Sequence, residues 1–203
     1  MVFNNKFILA SSSISRSNIL KNCGLSFIKI IPICNEEEIK KKMLKKKLSA
    51  AKISLGLARL KSQSVSLIKK NKLVVGSDTI INLNGKILNK AKNIKDAKTK
   101  ILFMSGKSHH IYSSASIYYN NKEIWSKTQK TLIKIRNLSE TEIEDYLFKA
   151  GKQILNSVGC YQLERLGPNI IKEIKGDFFN VMGFPLFPFL NFLKNYKINK
   201  KKL

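Results

Sequence analysis

Apolar positions follow two rhythms along the chain. Short continuous runs at residues 7–10 and 73–77 have the length and composition of buried strands, and the isoleucine-rich stretch 25–33 predicts another. Ile53, Leu57, Leu60 and Val65 recur at close to helical spacing and predict a helix over 50–69. Residues 15–23 read as a helix stopped by Gly24, and 95–104 as a further helix. The stretch 36–47 is charged and polar, and predicts a mobile loop leading into a first helical turn. Asn84-Gly85 is a strong hairpin signal. Residues 108–119 and 124–135 alternate on either side of Asn120-Asn121, the pattern of a long hairpin. Ser139 and Glu142 form a capping box for a helix to about Phe148. A strand over 170–174 and a terminal helix from Pro185 follow, with a frayed tail at 199–203. Helices alternate with strands early and an antiparallel pair comes later. That order predicts an α/β fold with a mixed sheet. No repeat or linker divides residues 1–203, so a single domain is expected.

Composition narrows the class. A chain of 203 residues buries enough surface to need no covalent staples. Cys23, Cys34 and Cys160 are odd in number and far apart, which indicates neither a zinc site nor a disulfide framework and suits a reducing compartment. The apolar stretch 7–10 is shorter than a signal-peptide core. The most apolar segment, 181–193, holds two prolines and is too short to span a bilayer. A cytoplasmic protein without a membrane segment is expected. The net charge of +25 raises nucleic-acid binding as a function. Yet only four of the 38 basic residues are arginine, namely Arg16, Arg59, Arg136 and Arg165. A nucleic-acid surface favours arginine for bidentate contacts. Lysine is spread along the whole chain together with much asparagine and isoleucine, which fits compositional drift and argues against a nucleic-acid partner.

Three places could carry chemistry. Ser11-Ser12-Ser13 joins a strand to a helix that carries Arg16, and free N–H groups at a helix start favour anions. A serine-rich N-cap needing no ligand explains the same residues. Asp78 closes an apolar run and precedes a turn, where a carboxylate can bind a hard cation or activate water; capping the turn is the alternative. Glu164 follows a short apolar stretch and could face a cleft, or be a solvated surface residue. His109 and His110 are adjacent, face opposite sides of a strand, and receive no catalytic role.

Taken in order, these segments resemble the Maf family, the septum formation inhibitor proteins, which are nucleoside triphosphate pyrophosphatases. Phe7-Ile8-Leu9-Ala10-Ser11-Ser12-Ser13 is similar to the family's opening, and Leu20, Gly24-Leu25 and Phe27 follow as expected. Gly76-Ser77-Asp78-Thr79 resembles its Gly-Ala/Ser-Asp signature, and Asn89-Lys90-Ala91 stands where Gly-Lys-Pro is usual. Leu102, Ser105-Gly106 and His109 resemble its Leu-Ser-Gly-x-x-His stretch. Gly176-Asp177, Asn180-Val181, Gly183 and Pro185-Leu186 resemble the closing motif.

The resemblance implies a two-lobed fold of the inosine triphosphate pyrophosphatase type with the cleft between the lobes. It implies cleavage between the α- and β-phosphates of a nucleoside triphosphate, a divalent cation (Mg²⁺ or Mn²⁺), and a homodimer in many members. By position, Asp78 would be the general base or metal-organising carboxylate, with Glu36 as a second metal ligand. Ser11, Ser13, Arg16, Lys61 and Lys90 would hold phosphates. Ile14-Ser15-Arg16 departs from the family's Pro-Arg-Arg, and Ser15 replaces a residue associated with substrate choice. Glu164 stands where pyrimidine-type members carry Gln. Glutamate only accepts hydrogen bonds, and guanine offers N1–H and N2–H₂ donors, which favours a guanine-like base. Thr79 instead follows the pyrimidine type, so the residues assigned to base choice disagree. A basic nucleic-acid-binding or division-regulating protein that keeps the fold without activity is the competing expectation.

Overall fold

The computed structural model describes residues 6–199, the side chains of 197–199 excepted. Its centre is a seven-stranded mixed sheet in the order β2-β1-β3-β5-β6-β7, with β4 paired to β3. Strand β1 (Phe7–Ala10), helix α1 (Ile14–Asn22) and strand β2 (Phe27–Ile30) form the opening unit, and β1 lies parallel to both β2 and β3 (Leu73–Leu83). Helices α2 (Glu36–Lys45) and α3 (Ala50–Ile68) precede β3. After β3 come β4 (Lys86–Leu88), α4 (Ile94–Met104), β5 (Ser108–Tyr119) and β6 (Lys122–Ile135), all three strands antiparallel to their neighbours. Helix α5 (Glu140–Ala150), strand β7 (Ile171–Lys175), the short α6 (Phe178–Val181) and α7 (Leu186–Asn199) complete the fold. Among the described residues no helix is long and apolar enough to cross a membrane.

Local chemistry explains most boundaries. Ser13, Ser49, Asn93 and Asp177 accept hydrogen bonds at the starts of α1, α3, α4 and α6, and Ser139 with Glu142 makes the expected capping box at α5. Asn84-Gly85 and Asn120-Asn121 all take positive φ, as tight hairpin turns require. The anticipated loop over 36–47 is instead the helix α2. Asn35 caps it, Glu36, Glu37 and Glu38 lie at its positive end, and Lys42 and Lys45 lie at its negative end. Ile39 and Met43, four residues apart, pack on the cluster around Ile53 and Leu57. That single apolar pair is a faint signal among so many lysines. The tail beyond residue 199 lies outside the described residues.

The second departure concerns β3. It does not end at Ser77 but runs on to Leu83, so Asp78 lies inside a long strand. Leu73 and Val75 enter one apolar cluster with Phe7, Leu20, Ile117, Phe184 and Phe189. Ile81 and Leu83 enter another with Ile101, Met104, Ile111, Ile133 and Ile143. Between them Ser77, Asp78 and Thr79 are polar because of what borders them, while Ile80 packs with Ile53 and Leu57. On one edge β5 pairs with β3 along residues 73–82. On the other, β1 covers Val74–Gly76 and β4 covers Ile81–Leu83. Residues 77–80 therefore face a window in the sheet edge, just beyond the carboxyl end of β1. Ligands gather outside strand ends in such sheets. The end that matters here belongs to the neighbouring strand.

Candidate functional site

Successive residues of β3 point to opposite faces, so Asp78 turns toward α3 and Thr79 toward α1 and the Asn180–Gly183 segment. Gly76 allows α3 to come close. A Cβ at Gly76 would overlap the carbonyl oxygen of Ala58 and lie 2.6 Å from the Ser62 nitrogen. With the helix that near, Lys61 reaches the window. Its ammonium, with the side chain only 8% exposed, lies 2.7 Å from Asp78 Oδ1 and 2.8 Å from Glu36 Oε2. Glu36 is the first residue of α2, so the helix missing from the sequence reading is what delivers the second carboxylate.

Arg16 enters from α1. Its guanidinium is buried; Nε donates to Gly183 O at 2.8 Å, Nη2 to Thr79 Oγ1 at 2.9 Å and Nη1 to Ser11 Oγ at 3.2 Å. Three of its five donors are thus committed to the protein, and two remain for a ligand. Burial lowers its pKa, while the charges of Asp78 and Glu36 act the other way. Lys90 belongs to the same field. Burial lowers its pKa, repulsion from Arg16 and Lys61 adds to this, and Asp78 and Glu36 oppose it. Lys40 of α2 donates to Asn89 at 2.6 Å, joining α2 to the segment before Lys90. Three cations surround two carboxylates, a balance that favours a further anion.

A profile of the Maf-like protein family matches residues 6–196 of the chain. The chain belongs to the Maf family. A "7-methyl-GTP pyrophosphatase" of Bartonella henselae is 36% identical over 94% of this chain and 96% of the relative. A "Nucleoside triphosphate pyrophosphatase" of Granulibacter bethesdensis is 32% identical over 95% of this chain and 98% of its own length. Another protein so named, from Caulobacter vibrioides, is 32% identical over 92% and 93% of the two chains.

The Maf residues anticipated from sequence fall in two groups. Arg16, Glu36, Lys61, Asp78 and Lys90 share one charge cluster, and Thr79 adjoins it by accepting from Arg16. Ser11 borders it, accepting from Arg16 and from the backbone N–H of Ser13. Ser13 Oγ accepts from Arg16 N at 3.3 Å, so its side chain serves as the N-cap of α1. The second group is a surface pair: Ser15 Oγ donates to Glu164 Oε1 at 2.7 Å. Thr79 stands apart from that pair, its hydroxyl held among Arg16, Ser113 and Gly183.

Of the residues that hold Arg16 in place, sequence reasoning gave roles to Ser11 and Thr79 but none to Gly183, nor to Asn180 and Ser113 behind it. Asn180 is fully buried; its Oδ1 accepts from Ser113 N at 3.1 Å and its Nδ2 donates to Thr131 Oγ1 at 2.8 Å and Ile111 O at 3.3 Å. Ser113 Oγ donates to Asn180 O at 2.7 Å and lies 3.0 Å from Thr79 Oγ1. The carbonyl of Gly183 receives Arg16 Nε, Ser77 Oγ and Thr79 Oγ1. The available signal was an asparagine and two glycines at fixed offsets in the closing motif of the Maf chain.

His109 is a structural histidine. It is 1% exposed, and Nε2 lies 2.6 Å from the hydroxyl of Tyr161. Burial, with His110 adding a little, pushes its pKa down to about 4. The folded state thus prefers the neutral ring. The stability tied to that preference is complete above the unfolded pKa of about 6.5 and is lost as pH falls through about 4. The shift corresponds to roughly 3 kcal/mol. Urea unfolding should therefore show a loss of that order between about pH 6.5 and pH 4 that is absent from His109→Gln. Equal pH dependence in both proteins would assign the loss to other groups.

Proposed function

We propose that this Maf chain hydrolyses nucleoside triphosphates to the monophosphate and pyrophosphate. One observation carries the reading: the buried ammonium of Lys61 is shared by Asp78 and Glu36, in the same charge field as the buried Arg16 and the more exposed Lys90. Water attacks the α-phosphorus, the bond from that phosphorus to the α–β bridging oxygen breaks, and pyrophosphate leaves. Asp78 takes the proton of the attacking water. Arg16, Lys61 and Lys90 balance charge on the phosphates, and Ser11 and Ser13 shape the loop at the start of α1. The catalytic domain is one unit with two lobes, and the nucleotide lies across the window between its two largest apolar clusters.

The donors fit a hard divalent cation. Two carboxylates already converge on one positive charge, and Mg²⁺ commonly takes one or two carboxylates together with substrate phosphates. Among the described residues no group of three or more His, Cys, Asp or Glu converges, so phosphate oxygens and water would supply the other ligands. Glu36 and Asp78 would hold Mg²⁺ or Mn²⁺, which would supply charge neutralisation at the phosphates.

The base reads as guanine-like. Ser15 fixes one oxygen of Glu164, leaving the carboxylate to accept from ligand N–H groups. Thr79 no longer argues for a pyrimidine, because its hydroxyl is held among Arg16, Ser113 and Gly183. The name of the Bartonella henselae relative points the same way. A cytoplasmic setting and a homodimer belong to the same reading; sedimentation at the monomer mass would remove the dimer.

The test is a panel of GTP, 7-methyl-GTP, UTP and dTTP with Mg²⁺ or Mn²⁺, read by pyrophosphate release. Monophosphate and pyrophosphate in equal amounts are expected, fastest with a guanine base. Release of orthophosphate alone, or no turnover of any member, would overturn the proposal.

A further inference from the structure

The segment that carries Glu164 is irregular, and something must fix its course. It spans residues 157–166, between one 3₁₀ turn, Gly151–Asn156, and another, Gly167–Asn169. Its middle is pinned at two adjacent residues. Cys160 is fully buried in a left-handed conformation, φ 55°, which is uncommon outside glycine. Its carbonyl accepts from the Tyr146 hydroxyl at 3.1 Å. Tyr161 is 4% exposed and turns inward to meet His109 of β5. From there the chain runs three residues to Glu164, which crosses to Ser15 on α1.

The short His109–Tyr161 bond has no redundancy on the histidine side, because Nδ1 of His109 is buried without a hydrogen-bond partner. A buried ring with one bond has one preferred orientation, and losing that bond leaves both nitrogens unsatisfied. The pair is neutral, so working pH does not alter it.

We infer that Tyr161 is a positioning residue for base selection: its bond to His109 sets the path of residues 157–166 and thereby aims Glu164 across the mouth of the site. The inference rests on the reading that Glu164 faces the base. Tyr161 touches no reacting group, so its loss acts on discrimination and not on the chemical step.

The experiment compares kcat and KM for GTP and UTP in the wild type, Tyr161→Phe, His109→Gln and Glu164→Ala. Tyr161→Phe keeps the ring and removes the bond. It should reduce the GTP-to-UTP ratio of kcat/KM about fivefold, the equivalent of one hydrogen bond, through KM and with kcat within twofold. His109→Gln, which keeps a donor and an acceptor, should retain more of the ratio than Tyr161→Phe. Should Glu164→Ala change the ratio while both anchor variants leave it within twofold, the inference is wrong and base reading by Glu164 stands. A ratio untouched by Glu164→Ala would instead remove the base-reading role. An equal fall in kcat for both nucleotides in the anchor variants would mark the bond as general scaffolding and overturn the inference.

Discussion

Asp78→Asn is expected to lower kcat for triphosphate hydrolysis by about 10²- to 10⁴-fold, the range that removal of a positioned general base produces. The amide has nearly the shape of the carboxylate and can still accept from Lys61, but it cannot take a proton from water at neutral pH. Stability should fall much less. The ammonium of Lys61 keeps Glu36 at 2.8 Å, so the variant does not strand a buried, unpaired charge, the situation that costs several kcal/mol. Pyrophosphate release and a urea midpoint on the same preparation separate the two effects. A variant of near-normal midpoint and full turnover would place the base elsewhere in the cluster. A variant that loses both together would make Asp78 a structural partner of Lys61 first. Glu36→Gln is the useful comparison, because Glu36 is the more exposed of the two carboxylates and shares the same lysine.

The residues that the sequence exposes and those it hides differ in physical kind. Caps and hairpin turns are local, which is why Ser139, Glu142, Asn84 and Gly85 could be read directly. Asp78 was legible as a carboxylate in an apolar run, but its reason was not. What makes the position special is the gap between β1 and β4 along one edge of β3, and pairing between distant strands leaves no local mark. Helix α2 was hidden because a helix with no fully buried residue has only Ile39 and Met43 to announce it. The contact between Ser15 and Glu164 joins residues 149 apart, so each reads alone as an odd substitution. Together they form a donor and an acceptor at one rim. Thr79 shows the reverse: the sequence grouped it with Ser15 and Glu164 in base choice, and the fold holds its hydroxyl among Arg16, Ser113 and Gly183, on the face of β3 opposite Asp78.

Asn180→Asp should be the most damaging single-atom change outside the charge cluster. The side chain is fully buried, and its amide nitrogen donates to Ile111 O and Thr131 Oγ1. Replacing that nitrogen by oxygen removes the donor, sets an acceptor against the Ile111 carbonyl and places a new carboxyl where water cannot reach it. A buried group left uncompensated costs about 3–5 kcal/mol, a large share of the roughly 5–15 kcal/mol available to a domain. Burial raises the folded pKa of the new aspartate above the unfolded value of about 3.9, so the loss deepens as pH rises from that value toward the folded pKa. Mild acid should therefore recover part of the urea midpoint, against the trend of the wild type. Activity measured well below the melting point carries the second half of the expectation. The backbone of Asn180 accepts from Gly183 N at 3.1 Å, and the Gly183 carbonyl fixes Arg16 Nε. Disturbing Asn180 thus loosens Arg16, and KM for the triphosphate should rise more than kcat falls. If Asn180→Asp unfolds like the wild type at every pH, the network through Ser113 and Thr131 is not what holds the arginine, and the three donors converging on Gly183 suffice without it.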